Sequence, residues 1–358
     1  MRVYWLGLVF FLYSLFLAIA FNGKKLDKNI LIGAYSILGF WFAYYVSNNI
    51  STLSRDYFNY SSWFSDIYYN SSLKNIFFGK DPAFQFLVFV IQKISLSQEF
   101  FVYFVIVFLI FFIKIKFSSL FFNSLSAILL MWLLFSQTFI LFEITQIRAG
   151  LAIALASFAI LRGVSSKKND WITSLCLFIS VFIHFSTILL VLVYFAILFK
   201  EVVLNRLVIF FILLFSTIVG FLLDNVIQDF IESNFSENIR FIDYLNDKNV
   251  ENLSLFSVFF ILKIMMVISL LFFWSHLKYS QKAAVFLSAF GCALQVILSF
   301  NTVFGLRFSE LFIFFSLATF VVPMDFHKIN VNLRYIYFFC LLGLGFIFYT
   351  SSVKILLG

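Results

Sequence analysis

Charge is scarce in this chain: 12% of its 358 residues are charged, about half of what a soluble domain of this length carries. Proline is scarcer still, with two residues, so little interrupts long helices. Histidine and cysteine number three each. The cysteines, Cys176, Cys292 and Cys340, all lie inside apolar runs, which reads as buried small hydrophobes rather than a disulfide framework. The histidines are scattered, and no Cys/His cluster has metal-ligand spacing, so neither a metal nor a cofactor is expected. Also missing are a Walker loop, a GxSxG elbow and an HExxH helix.

What is abundant is apolar sequence. Hydrophobic residues make up 63% of the chain, phenylalanine alone contributes 57, and the mean hydropathy is +1.03. Runs such as 3–21, 100–113 and 204–223 approach the length of about 20 residues that a membrane span needs. No small-residue cleavage site follows the first run and hydrophobicity resumes at once, so it reads as a span and not a cleaved leader. The expectation is an all-α polytopic integral membrane protein with about 12–13 transmembrane or re-entrant helices, forming a single membrane domain over residues 1–358. Spans are predicted near 3–21, 30–47, 99–116, 120–139, 146–163, 171–184, 186–199, 205–223, 255–274, 283–300, 305–322 and 335–352. The apolar piece 83–94 is too short to cross comfortably and is either a tilted span or a re-entrant segment.

The formal net charge of +8 does not indicate nucleic-acid binding, because the basic residues fall in tufts between spans. These are Lys24/Lys25/Lys28, Lys114/Lys116, Lys167/Lys168, Lys200/Arg206, Lys278/Lys282 and Lys328/Arg334. Short Lys/Arg-rich loops mark the cytoplasmic side. That orientation puts two larger loops outside, at 48–82 and 224–254, and the second is strongly acidic.

Ionisable residues at membrane depth are costly and are functional candidates by default. Four segments qualify, all near the predicted outer face. Arg55 and Asp56 precede Tyr57, Tyr60 and Trp63, which suits either an interfacial aromatic belt or stacking on sugar faces. Arg148 opens a helix with Gly150/Ala154 and Ala152/Ala156 at small-xxx-small spacing, so it faces a packed helix and not lipid. Its planar fork suits phosphate, unless Glu143, five residues earlier, simply pairs with it; Gln146 lies between them. His184 falls at a turn inside the long apolar stretch 171–199 and offers proton chemistry near neutral pH, or is a satisfied core histidine. Arg307 and Glu310, three apart, either pair with each other or supply a second anion clamp.

In order and spacing these segments resemble the EpsG-like branch of the Wzy-type polysaccharide polymerases. Asp56-Tyr57-x-x-Tyr60 is similar to that family's early aspartate–tyrosine segment. Arg148-Ala149-Gly150-Leu151-Ala152 is similar to its arginine-opened helix, His184-Phe185-Ser186 to its His-hydrophobic-Ser turn, and Arg307 to its late arginine. Ala149 departs from the glutamine usual there.

The resemblance implies an O-antigen or related surface-polysaccharide polymerase in the bacterial cytoplasmic membrane. Its donor and acceptor would be undecaprenyl-pyrophosphate-linked repeat units, joined on the periplasmic face without nucleotide or metal. A chain-length-regulating co-polymerase is a candidate partner. On that reading Arg148, Arg307 and Arg55 hold pyrophosphate, and His184 or Asp56 is the base. Tyr57, Tyr60, Trp63, Arg240 and Tyr244 contact sugar, with Glu143, Gln146 and Glu310 in support. The alternatives are a flippase for the same lipid-linked oligosaccharide, an O-antigen ligase and a membrane O-acyltransferase. A flippase needs charge spread through a central cavity, and an acyltransferase needs a catalytic histidine on the cytoplasmic side.

Overall fold

A backbone in hydrocarbon has no water to bond, so its amides and carbonyls must pair within the segment or in a closed barrel. The computed structural model of this chain uses helices, and among the described residues there is no strand. The structure describes residues 2–20, 27–70, 73–167, 169–199, 204–222, 226, 257–326 and 331–357. The acidic segment 224–254, with Arg240 and Tyr244, therefore falls almost wholly outside the described residues.

The helices are α1 (Arg2–Ala20), α2 (Lys28–Leu53), α3 (Tyr57–Asn70), α4 (Leu73–Phe78), α5 (Pro82–Ile94), α6 (Glu99–Phe121), α7 (Ser124–Thr138) and α8 (Ile147–Ser166). Next come α9 (Trp171–Ile183), α10 (Ile188–Phe199), α11 (Arg206–Leu222), α12 (Val258–Phe272), α13 (Tyr279–Ile297), α14 (Thr302–Glu310), α15 (Ile313–Val321) and α16 (Val331–Leu357). Seven of the described helices are long and apolar enough to cross a membrane: α1, α2, α6, α7 with the π-helical turn that extends it, α8, α13 and α16. The pair α14–α15 makes an eighth if taken together, although it bends by 62° at its break. Helices α5, α9, α11 and α12, and α10 with the turn before it, are apolar but shorter. The protein is a multi-pass, all-α membrane protein.

By internal packing the chain divides into two compact units, residues 1–191 with 321–358, and residues 192–320. In the first, α2 and α6 run antiparallel. Tyr44 meets Phe100 near one end, and Phe40 meets Phe104 and Phe108 further along. At the same end Glu99 accepts hydrogen bonds from Tyr57 at 3.2 Å and Ser61 at 2.6 Å. Helices α3 to α5 therefore leave from and return to one end of the bundle, so α5 does not cross. Of the two sequence expectations for 83–94, the re-entrant one matches this topology. Two glutamines pin α5: Gln92 donates to the Phe64 carbonyl at 3.0 Å and Gln85 to that of Lys80 at 2.6 Å.

Helix α1 joins the same bundle. Tyr349 on α16 donates to the Val3 carbonyl at 2.5 Å. Between lipid-exposed helices there is no hydrophobic driving force, so packing must supply the cohesion. Aromatic rings do much of it. Phe10 stacks on Phe135 at 4.1 Å between centroids and touches Tyr35, Phe42, Phe111 and Trp132. Such pairs contribute about 0.5–1.5 kcal/mol each beyond their burial.

Four expectations change. The segment 48–82 is not a loop: α2 extends to Leu53, and α3 and α4 occupy most of the rest. The predicted span 120–139 begins at Ser124 and continues through a π-helical turn, Phe139–Thr145. The span 305–322 is broken at Leu311 and Phe312. Lys114 belongs to no loop tuft. Its side chain is 1% exposed and ion-paired with Glu143 inside the bundle. A lysine on an otherwise apolar helix reads as a helix end in sequence; its partner on α7's extension, 29 residues on, is invisible there.

In the second unit α13 packs against α11, α12 and α14. Phe260, Cys292 and Val296 form a buried cluster with Leu213 and Ile264 against it. Cys292 is the buried small hydrophobe that its apolar surroundings suggest, whereas Cys176 is half-buried and Cys340 exposed; all three are free of disulfides.

Candidate anion and sugar site

The site of the first unit is organised around the start of α8. The π-helical turn ends at Thr145, Gln146 caps α8 through its backbone, and Arg148 is the second helical residue. Gln146 donates its backbone N–H to the Leu141 carbonyl at 2.6 Å, which fixes the sharp entry. π-helical turns inside α-helices recur at functional sites. The turn also needs Gly150. A Cβ there would lie 2.6 Å from Phe142 Cβ and 2.8 Å from its carbonyl oxygen, and backbone cannot swing aside. Gly150→Ala is therefore expected to cost about 1–3 kcal/mol, the range for overpacking, read as a lower thermal midpoint of the purified protein.

An arginine at a helix N-terminus opposes the macrodipole and needs an anion nearby. The anion is Asp81: Arg148 Nη1 donates to its Oδ2. Asp81 immediately precedes Pro82 and takes a left-handed conformation, φ 55° and ψ 59°, rare for a residue with a side chain. Strain of that kind costs on the order of 1–3 kcal/mol and concentrates at functional sites. Here it accompanies the placement of a carboxylate against Arg148. The pair is unequally covered, with side-chain exposures of 20% for Arg148 and 5% for Asp81. Arg148 Nε is buried and makes no hydrogen bond among the described residues, where the fork is only partly used.

Aromatics from α3 surround the guanidinium. Its Cζ lies 5.4 Å from the centre of the Trp63 ring, and Trp63 stacks on Phe84 of α5. Tyr60 packs against Trp63, and Arg148 lies close enough to act on its hydroxyl electrostatically. Burial pushes that phenol up to about 12, despite the opposing pull of Arg148. Tyr60 is thus a neutral hydroxyl at physiological pH and cannot serve as the base. Asp56 lies close enough to Tyr60 to act on it electrostatically. Tyr57 is turned to Glu99 instead. Arg55 is exposed and donates to the Leu356 carbonyl at 3.1 Å, tying the end of α2 to the end of α16.

His184 sits where expected, at the break between α9 and α10. It is extended (φ −155°, ψ 108°), and a single 3-10 turn, Phe185–Thr187, follows it. Thr187 holds the break by donating to the His184 carbonyl at 2.9 Å. That turn packs against α8, and α9 packs against α5. The elements carrying Asp56, Tyr60, Trp63, Asp81, Arg148 and His184 therefore form one packed neighbourhood. Glu143 is not Arg148's partner. It is fully buried and held by Lys114, which also donates to Thr138 Oγ1 at 2.5 Å.

Arg307 and Glu310 belong to the second unit, on α14. Arg307 is exposed, and Glu310 lies in the field of both Arg307 and Lys263. Asn301 caps this helix, accepting from the N–H groups of Val303 and Phe304.

Sequence reasoning missed Asp81, Lys114 and Lys263. Asp81 had one faint signal, an acid directly before a proline that opens a short apolar helix. Among the described residues, no group of three or more His, Cys, Asp or Glu is placed to hold a metal ion.

No curated protein and no solved structure matches the chain significantly. The model of the EpsG family matches residues 32–356, which takes in the whole neighbourhood of Arg148 as well as Arg307. With nearly its full length matched, the chain belongs to the EpsG family.

Proposed function

We propose that this protein is a surface-polysaccharide polymerase. It transfers a growing glycan from a polyprenyl-pyrophosphate carrier to a sugar hydroxyl of an incoming lipid-linked unit, at the periplasmic face of the bacterial cytoplasmic membrane. Family membership supports the class of polysaccharide polymerase. The observation that carries the chemistry is Arg148: a partly used, 20% exposed guanidinium at a helix N-terminus, flanked by Trp63 and Tyr60. Helix N-termini and guanidinium forks both favour phosphate oxygens.

In the reaction the glycosidic C–O bond to pyrophosphate breaks, and the acceptor hydroxyl forms the new bond at the same carbon. Negative charge grows on the leaving pyrophosphate, where Arg148 supplies fixed positive charge. The acceptor proton goes to a base, His184 or Asp56. Trp63 and Tyr60 offer a ring face and a neutral hydroxyl to sugar. Carrier lipid enters from the bilayer, in keeping with a site built on membrane-embedded helices.

Deletion of the gene tests the pathway step. The expected surface polysaccharide is the anchor carrying one repeat unit, with the ladder lost. Complete absence of attached repeats would instead indicate a flippase or a ligase.

A further inference from the structure

A second buried cation lies in the other unit. Lys263 on α12 is 5% exposed. Its Nζ donates to Gln295 Oε1 of α13 at 2.8 Å and lies 4.8 Å from the Phe259 ring and 5.6 Å from the Phe260 ring. Around it are Phe260, Cys292 and Val296. None of the ion pairs among the described residues includes Lys263.

A buried ammonium whose one hydrogen bond among the described residues is to a neutral amide is expensive. An ammonium has three N–H donors, and one amide oxygen uses one of them. Cys292 of α13 and Glu310 of α14 both act on Lys263, and Glu310 also lies in the field of Arg307, which is exposed. The three side chains thus run from buried to exposed as lysine, carboxylate and guanidinium. An arrangement kept only for packing has no need of the lysine, because an apolar residue of the same length fills the space without desolvation cost.

We propose that Lys263 is an anion-binding residue. Together with Gln295, Glu310 and Arg307 it forms a phosphate or pyrophosphate site contained in the second unit. The proposal rests on the polymerase reading for its choice of ligand: both substrates of that reaction are lipid pyrophosphates, so a second pyrophosphate site has an occupant. The phosphate chemistry is shared by a lipid headgroup and a free ion, and the test separates them.

The full chain in nanodiscs of zwitterionic lipid is titrated with a short-chain polyprenyl pyrophosphate, and separately with inorganic pyrophosphate. The proteins compared are wild type, Lys263→Met, Lys263→Gln, Lys263→Arg and Arg148→Lys. Lys263→Met and Lys263→Gln are expected to weaken binding by about tenfold or more, the loss of one charge-assisted contact. Lys263→Arg should lose less. The thermal midpoint of Lys263→Met should equal or exceed that of wild type, since an uncompensated buried charge is removed. A Lys263-dependent response to the lipid alone assigns a headgroup site, and an equal response to inorganic pyrophosphate assigns a free-anion site. Affinities within twofold of wild type in both neutral variants overturn the proposal. A drop that depends on Arg148 but not on Lys263 leaves the Arg148 reading standing and removes this one. The reverse pattern does the opposite.

Discussion

Arg148→Ala abolishes chain extension. The expected loss is about a hundredfold or more in polymer formed per molecule of protein, the scale seen when one preorganised charge donor is taken from a developing anion. Alanine also leaves Asp81 buried without its cation, so part of any deficit could arise from folding. Arg148→Lys removes that ambiguity. Lysine keeps the charge that Asp81 needs, but gives up the planar fork and the guanidinium's stacking over Trp63. The Lys variant is expected to accumulate to wild-type levels and unfold near the wild-type midpoint, yet to make short, sparse ladders. Gel analysis of surface polysaccharide alongside quantified protein reads both quantities. Full-length ladders from the Lys variant would show that positive charge alone suffices and that the fork has no special part.

The second large effect concerns stability. Lys114 and Glu143 are buried together, at 1% and 0% side-chain exposure, and among the described residues Glu143 Oε2 has no hydrogen-bond partner. Removing one partner strands the other charge. Lys114→Met is therefore expected to destabilise the protein by about 3–5 kcal/mol, the cost typical of breaking a buried pair from one side. Because Glu143 lies in the π-helical turn that leads into Arg148, activity should fall with stability. The double variant Lys114→Met with Glu143→Leu removes both charges and should recover most of the lost midpoint. If the double variant instead melts with the single one, the pair contributes more than mutual neutralisation, and the turn depends on its hydrogen bonds. Thermal unfolding in detergent, on protein from the same preparation, distinguishes the two outcomes.

The parts of this fold that sequence exposes are those set by local chemistry. Long apolar runs and scarce charge require helices, and a histidine at the middle of a 29-residue apolar stretch, Trp171–Phe199, marks the break between α9 and α10. The fate of 83–94 was open because length alone does not say on which side a segment re-emerges. The contacts of Glu99 with Tyr57 and Ser61 bring the two ends of this segment together, and they join residues 42 and 38 positions apart. Ion pairing is hidden from sequence for the same reason. Glu143 stands near Arg148 in sequence, but the π-helical turn and sharp entry into α8 direct the two side chains to different partners, Lys114 and Asp81. Asp81 is 67 residues from Arg148, and its left-handed backbone leaves no mark in the sequence pattern. Lys263 was passed over because an isolated lysine in an apolar helix is indistinguishable, in one dimension, from one that snorkels to the interface.

The central claim is that glycan transfer expels a carrier pyrophosphate at Arg148. Its most direct test is the purified protein in nanodiscs, supplied with a lipid-linked repeat unit and no nucleotide. Released polyprenyl pyrophosphate is followed by phosphorus NMR while glycan length is followed by mass spectrometry. The account predicts one pyrophosphate lipid released for each repeat unit added, with both signals lost together in Arg148→Ala and strongly slowed in Arg148→Lys. Glycan growth without pyrophosphate release, or growth at the wild-type rate in Arg148→Ala, would contradict it.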